Sequence, residues 1–110
     1  MWTECKIYRT LENIMIVKPL PSFSNWLKKL RDKPAKISIV ERISRLSSGL
    51  FGDSKSVGDG VSELRIHVGP GYRLYYTIRQ QQVIILLVGG DKSTQATDIE
   101  KAKKLAKEIP

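Results

Sequence analysis

The sequence predicts an α+β domain, a small antiparallel sheet of about four strands packed against an N-terminal helical hairpin and a C-terminal helix. Three observations carry this expectation. The apolar period is helical between residues 22 and 47 and becomes alternating after residue 60. The alternating runs follow one another through tight turns, the signature of antiparallel strands with helices laid against them. A chain of 110 residues is long enough for one modest core and too short for two.

Taken in order, Ile14-Met15-Ile16-Val17 is a short β-prone run closed by Lys18, Pro19 and Pro21, and it predicts the first strand. Phe23, Trp26, Leu27 and Leu30 then fall at i, i+3, i+4 and i+7, the apolar stripe of a helix. Ser22 suits its N-cap, and Lys28, Lys29 and Arg31 occupy the opposite side. Pro34 ends that helix and opens the next, over 35–47, where Ile39, Val40, Ile43 and Leu46 repeat the apolar spacing. The short link at Asp32-Lys33 implies an antiparallel helical hairpin. Gly49, Gly52, Gly58 and Gly60 then mark residues 49–60 as a loop.

The second half reads as strands. From Val61 to Val68, Leu64, Ile66 and Val68 alternate with Glu63, Arg65 and His67. Gly69-Pro70-Gly71 is a turn, and Tyr72 to Arg79 returns with Arg73, Tyr75, Thr77 and Arg79 on one side. Gln80-Gln81-Gln82 is a weaker turn signal because it has no Asn-Gly pair. Val83 to Val88 is apolar on both faces, as in a central strand, and Gly89-Gly90 is expected to break it. Ile99, Ala102, Ala106 and Ile109 share one face of a last helix capped by Ser93 or Thr94. Lys101, Lys103, Lys104 and Lys107 crowd that helix, mostly late, where its dipole favours cations.

Composition narrows the function classes. Nineteen Lys+Arg against eleven Asp+Glu give a net +8, which favours a polyanionic partner: nucleic acid, an acidic protein or an anionic surface. The longest apolar run, Val83–Val88, is far short of the ~20 residues of a membrane span. No leader-like segment follows Met1, so a cytoplasmic protein without membrane contact is expected. Cys5 has no second cysteine to pair with, and one His with one Cys makes no zinc set. Neither metal nor cofactor is expected.

Alternation places Glu63, Arg65 and His67 on one strand face, and Arg73 and Tyr75 on the same face of the next strand. Cross-strand neighbours lie ~5 Å apart, about the size of a phosphodiester. Two arginines can grip phosphate oxygens and offset transition-state charge. His67 is the side chain suited to proton transfer near neutral pH. Tyr75 offers a ring for stacking on a base, and Lys92, just past the third strand, a further charge. Lys28, Lys29, Lys103 and Lys104 are candidate RNA contacts. The ordinary alternatives stay open: a solvated charged row, Glu63 paired with Arg65 or Arg73, and a bystander histidine.

Two stretches carry a resemblance. Gly58-Asp59-Gly60-Val61-Ser62-Glu63-Leu64-Arg65-Ile66-His67-Val68-Gly69-Pro70-Gly71-Tyr72-Arg73-Leu74-Tyr75-Tyr76 resembles the central hairpin of HigB-like addiction-module killer proteins. Gly89-Gly90-Asp91-Lys92-Ser93-Thr94-Gln95, with Asp98-Ile99 and Lys101-Ala102, is similar to that group's other signature. The group falls in the RelE/ParE superfamily and includes many phage-derived members. The likeness covers about Ile14 to Ile109. It sets a single toxin domain over 14–110 behind an N-terminal extension at 1–13, with Met15 as an alternative start.

The resemblance implies a RelE-like fold and a toxin that cleaves messenger RNA on the ribosome or, in the ParE branch, inhibits DNA gyrase without cutting. It implies catalytic roles for Arg65, His67, Arg73 and Lys92. RelE-type enzymes carry a lysine where this chain has His67, and a tyrosine on the last helix where it has Thr97 and Asp98. The general base is therefore open, with Asp98 a candidate to orient Lys92 or His67. The implied partners are a cognate antitoxin of helix-turn-helix type, the ribosome and messenger RNA, with operator DNA reached only through the antitoxin complex.

Overall fold

A computed structural model describes residues 15–110; the expected extension at 1–13 lies outside them. The chain runs β1 (Ile16–Pro19), α1 (Pro21–Lys29), α2 (Lys33–Ser47), β2 (Ser54–Gly58), β3 (Val61–Ile66), β4 (Tyr72–Arg79), β5 (Val83–Asp91), a 3-10 turn (Lys92–Thr94) and α3 (Gln95–Glu108). The sheet order is β1-β5-β4-β3-β2, with β1 parallel to β5 and the remaining pairs antiparallel. The α+β expectation stands, but the sheet has five strands and is mixed, not antiparallel with four.

β2 is the added strand, and it lies inside the segment expected to be a loop. The glycines there shape the strand ends instead of abolishing them. Asp59 and Gly60, both at positive φ (55° and 75°), make the tight turn into β3. Gly58, the partner of Val61, closes a register shift that begins at Ser56, the mark of a bulge. β1 tolerates Pro19 because it is an edge strand.

Helices cover both faces of the sheet. α1 lies on β5 and β1, and α2 on β1 and β3, so each packs chiefly on strands and the expected helical hairpin is not formed as such. Their apolar faces close a core with Phe23, Ile39, Leu46, Leu64, Leu74 and Leu86. Val40, counted on the apolar stripe, turns outward. α1 starts at Pro21, and Ser22 donates to the Leu87 carbonyl at 2.7 Å instead of capping the helix. Asp32 caps α2, accepting from the Ala35 amide. On the other face, α3 closes a second core of Val61, Tyr75, Leu87, Ala102 and Ala106.

β5 continues through Gly89-Gly90, where a break was expected. These glycines make room. A Cβ on Gly89 would enter the Trp26 ring of α1, and one on Gly90 would enter the Asp98 carboxylate of α3. Adjacent strand residues face opposite sides, so the two helical layers reach the same stretch of backbone from opposite directions.

Candidate functional site

β3 and β4 pair with Arg65 directly opposite Arg73, so both guanidiniums leave the same face of the sheet. Like charges in that position repel. Glu63, buried on the same face, answers both. Its Oε1 accepts from Arg65 Nε at 3.1 Å and lies 3.6 Å from Arg73 Nε. Its Oε2 accepts from the Tyr75 hydroxyl at 3.2 Å and from Gln95 Nε2, on α3, at 2.9 Å. Burial pushes the Glu63 carboxyl up, but the hydrogen bonds from Arg65, Gln95 and Tyr75, with the Arg73 charge, hold it below the ordinary glutamate value.

One carboxylate thus serves two guanidiniums, and the cluster keeps a net positive charge. The Arg65 side chain is 33 % exposed and that of Arg73 13 %, so the pair is partly covered, with Gln95 of α3 reaching the same Glu63, and not on an open sheet face as expected. Arg73 Nε and Nη1 are buried and make no hydrogen bond among the described residues, Nε having only the longer ion pair with Glu63. Buried donors of this kind are costly until an acceptor arrives. The donor set suits an oxyanion.

Tyr75 requires a correction. Its ring is fully buried in the core under α3, and burial, with Glu63 beside it, pushes its hydroxyl up. It cannot present a face to a base. It orders Glu63 instead.

His67 stands just past β3, largely exposed, with Nε2 2.7 Å from Asp53 Oδ2. The Asp53 carboxyl is held below its ordinary value first by that hydrogen bond, with Arg65 and Arg42 also lowering it. The Asp53 carbonyl also accepts the Arg65 amide at 2.9 Å. Asp53 therefore ties the imidazole to the backbone of the arginine pair. Sequence reasoning missed it, and its only local signal is its place just before the Asp-Gly hairpin. Gln95, which completes the Glu63 set, was read only as part of a signature string.

Lys92 is exposed and opens the 3-10 turn, which Asp91 caps by accepting the Ser93 amide at 2.8 Å. It lies two residues beyond Gly90, the register partner of Arg73. Asp98 accepts from Thr94 Oγ1 at 2.6 Å and lies over Gly90; it bonds neither Lys92 nor His67. On α3, Lys104 is exposed and Lys103 Nζ lies 3.9 Å from Asp59 Oδ2. Lys28 and Lys29 end α1, on the other face of the sheet from the arginine pair. The fold therefore gathers Glu63, Arg65 and Arg73, sets His67 and Lys92 at the strand ends nearby, and leaves Lys28 and Lys29 apart.

The sequence model of the family described as Phage derived protein Gp49-like (DUF891) matches residues 25–109. The chain belongs to this family. Every residue of the site falls within the matched Gp49-like span. A protein of Haemophilus influenzae (strain ATCC 51907 / DSM 11121 / KW20 / Rd), described as uncharacterized, is 52% identical over 93 residues, which is 84% of this chain and 94% of its own. Among solved structures, a double arginine-to-alanine mutant of E. coli toxin RelE in the free state is similar, with a TM-score of 0.68. The match covers 88% of this chain and 99% of that one at 15% identity, a likeness of fold. This Gp49-like chain thus has a RelE-like architecture.

Proposed function

We propose that this protein is the toxin of a type II toxin–antitoxin pair, HigB-like, and that it cleaves messenger RNA on the ribosome without a metal. The observation that carries this reading is the in-register Arg65–Arg73 pair sharing one carboxylate, with Arg73 donors unmet. Such a pair can grip the scissile phosphate and offset the charge its oxygens gain. One aimed donor of this kind is worth ~3 kcal/mol in a transition state.

The chemistry follows from RNA itself. His67, steadied by Asp53, takes the proton from the ribose 2′-hydroxyl. The 2′-oxygen attacks phosphorus, the bond to the 5′-oxygen breaks, and that oxygen leaves with a proton delivered by a protonated side chain or water. The products are a 2′,3′-cyclic phosphate and a 5′-hydroxyl. Lys92 supplies charge at the rim, and Lys103 and Lys104 attract the RNA backbone. Lys28 and Lys29, on the far side of the sheet, suit contact with ribosomal RNA. A net +8 fits an acidic antitoxin, of helix-turn-helix type, through which the pair would act on its own operator.

Primer extension on messenger RNA after induced expression tests the reading. It should map discrete cuts carrying a 5′-hydroxyl. Arg73→Ala should abolish growth arrest while the fold survives, because Glu63 keeps Arg65, Tyr75 and Gln95. Full arrest from an Arg65→Ala/Arg73→Ala protein would overturn it. DNA damage with intact messenger RNA would point to ParE-like inhibition of gyrase.

A further inference from the structure

A second basic cavity opens on the other side of Asp53. Arg42 and Arg45, three residues apart on α2, share one helix face. The chain turns back at Gly49, with φ at 80°, and returns as Leu50-Phe51-Gly52. The open hollow of 560 Å³ between them is lined by Arg42, Arg45, Gly49, Leu50, Phe51 and Gly52. That volume accommodates a small ligand. No carboxylate lines it, and among the described residues neither arginine has an ion-pair partner.

The walls are built for something flat and anionic. Phe51 stacks on Tyr76 with rings 6.2 Å apart and 18° from parallel, which fixes its orientation. Leu50 is 61% exposed, an apolar side chain that the core does not use. The Arg42 guanidinium lies over Gly52, and any Cβ there would occupy its seat. The next residue is Asp53, which holds His67 and Arg65.

We propose that this cavity is a nucleotide subsite, taking a base against Leu50 and Phe51 and the adjoining phosphate on Arg42 and Arg45. The nucleotide belongs to the same single RNA strand whose scissile phosphate lies on Arg65 and Arg73, the strand passing around the sheet edge at Asp53 and His67. The assignment rests on the nuclease reading for its substrate, while its test does not need cleavage. An aromatic ring with arginines beside it is a common platform for single-stranded bases.

The experiment measures binding of a labelled oligoribonucleotide of about eight nucleotides to the purified protein across a range of salt. Wild type is compared with Arg42→Ala/Arg45→Ala and, separately, Leu50→Ser, with folding checked by circular dichroism. The double variant should bind roughly tenfold more weakly, its log–log salt slope shallower by about 0.7, the share of one single-strand phosphate. Leu50→Ser should weaken binding with the slope unchanged. Unaltered affinity and slope in the folded double variant overturn the subsite, as does a wild type that binds no RNA. Normal pocket-dependent binding with no messenger RNA cut in cells removes the nuclease reading and leaves the subsite standing.

Discussion

At the residue scale, Glu63 governs the site. A buried carboxylate beside two guanidiniums holds together charges that the β3–β4 register forces into contact. Removing one partner of such a set leaves the others buried and uncompensated, so Glu63→Gln is expected to cost roughly 3 kcal/mol, read from urea denaturation at neutral pH. Acid should act the same way. The folded carboxyl titrates below its unfolded value, so its stabilisation is complete above about pH 5 and fades as pH falls through the folded titration. The Glu63→Gln protein should therefore show a flatter stability profile between neutral and acid pH; an unchanged slope would contradict the network. For the proposed chemistry, His67→Ala should lower cleavage by about 100-fold or more. Asp53→Asn should disturb the pH dependence of cutting rather than RNA affinity, since it bonds the imidazole and not the phosphate.

At the element scale, two connections stand out. The β4–β5 turn places Gln80 and Gln81 at positive φ (55° and 59°), with the Gln82 amide donating to the Arg79 carbonyl. Side chains other than Asn and Gly meet that conformation at a cost of ~1–2 kcal/mol per residue. Gln81→Gly is expected to stabilise the protein by about 1 kcal/mol, raising Tm by roughly 4 °C. Differential scanning calorimetry decides it; a lowered Tm would mean the side chain is needed. At Gly89, by contrast, space is the constraint. Gly89→Ala pushes into Trp26, itself packed against Phe23 and Tyr72, and overpacking of this kind costs ~1–3 kcal/mol. The urea midpoint should fall accordingly.

At the scale of the whole molecule, the legible part was what neighbours in sequence determine. Alternation suffices to put Arg65 and Arg73 on one face, though it is a connection of five residues, 67–71, longer than the Gly-Pro-Gly turn, that sets them directly opposite; the helical spacing located α1, α2 and α3 to within a few residues. Distant partners were not legible. β1 finds β5 across the chain, in parallel, and no local pattern reports that pairing. α3 settles on the face that looked polar, burying Tyr75 and Glu63, because Val61, Leu87 and the alanines of α3 outweigh the charges at one end of it. β2 was hidden by glycines read as loop signals, although Asp59-Gly60 is the strongest short hairpin signal available. Among the described residues no helix is long and apolar enough to cross a membrane. Charge at this scale makes its own prediction: RNA affinity measured at rising salt should fall linearly on log axes, by about 0.7 for each phosphate engaged.

The unmet Arg73 donors bear on how the protein is handled as well as on what it does. An anion that fills their place favours the native state over the unfolded one, and native stability then rises with anion concentration through mass action. Melting curves recorded in phosphate or sulfate buffer should sit higher than those in chloride of equal ionic strength. That difference should shrink in Arg73→Ala. Buffer choice is thus a thermodynamic probe of the arginine pair before any substrate is found.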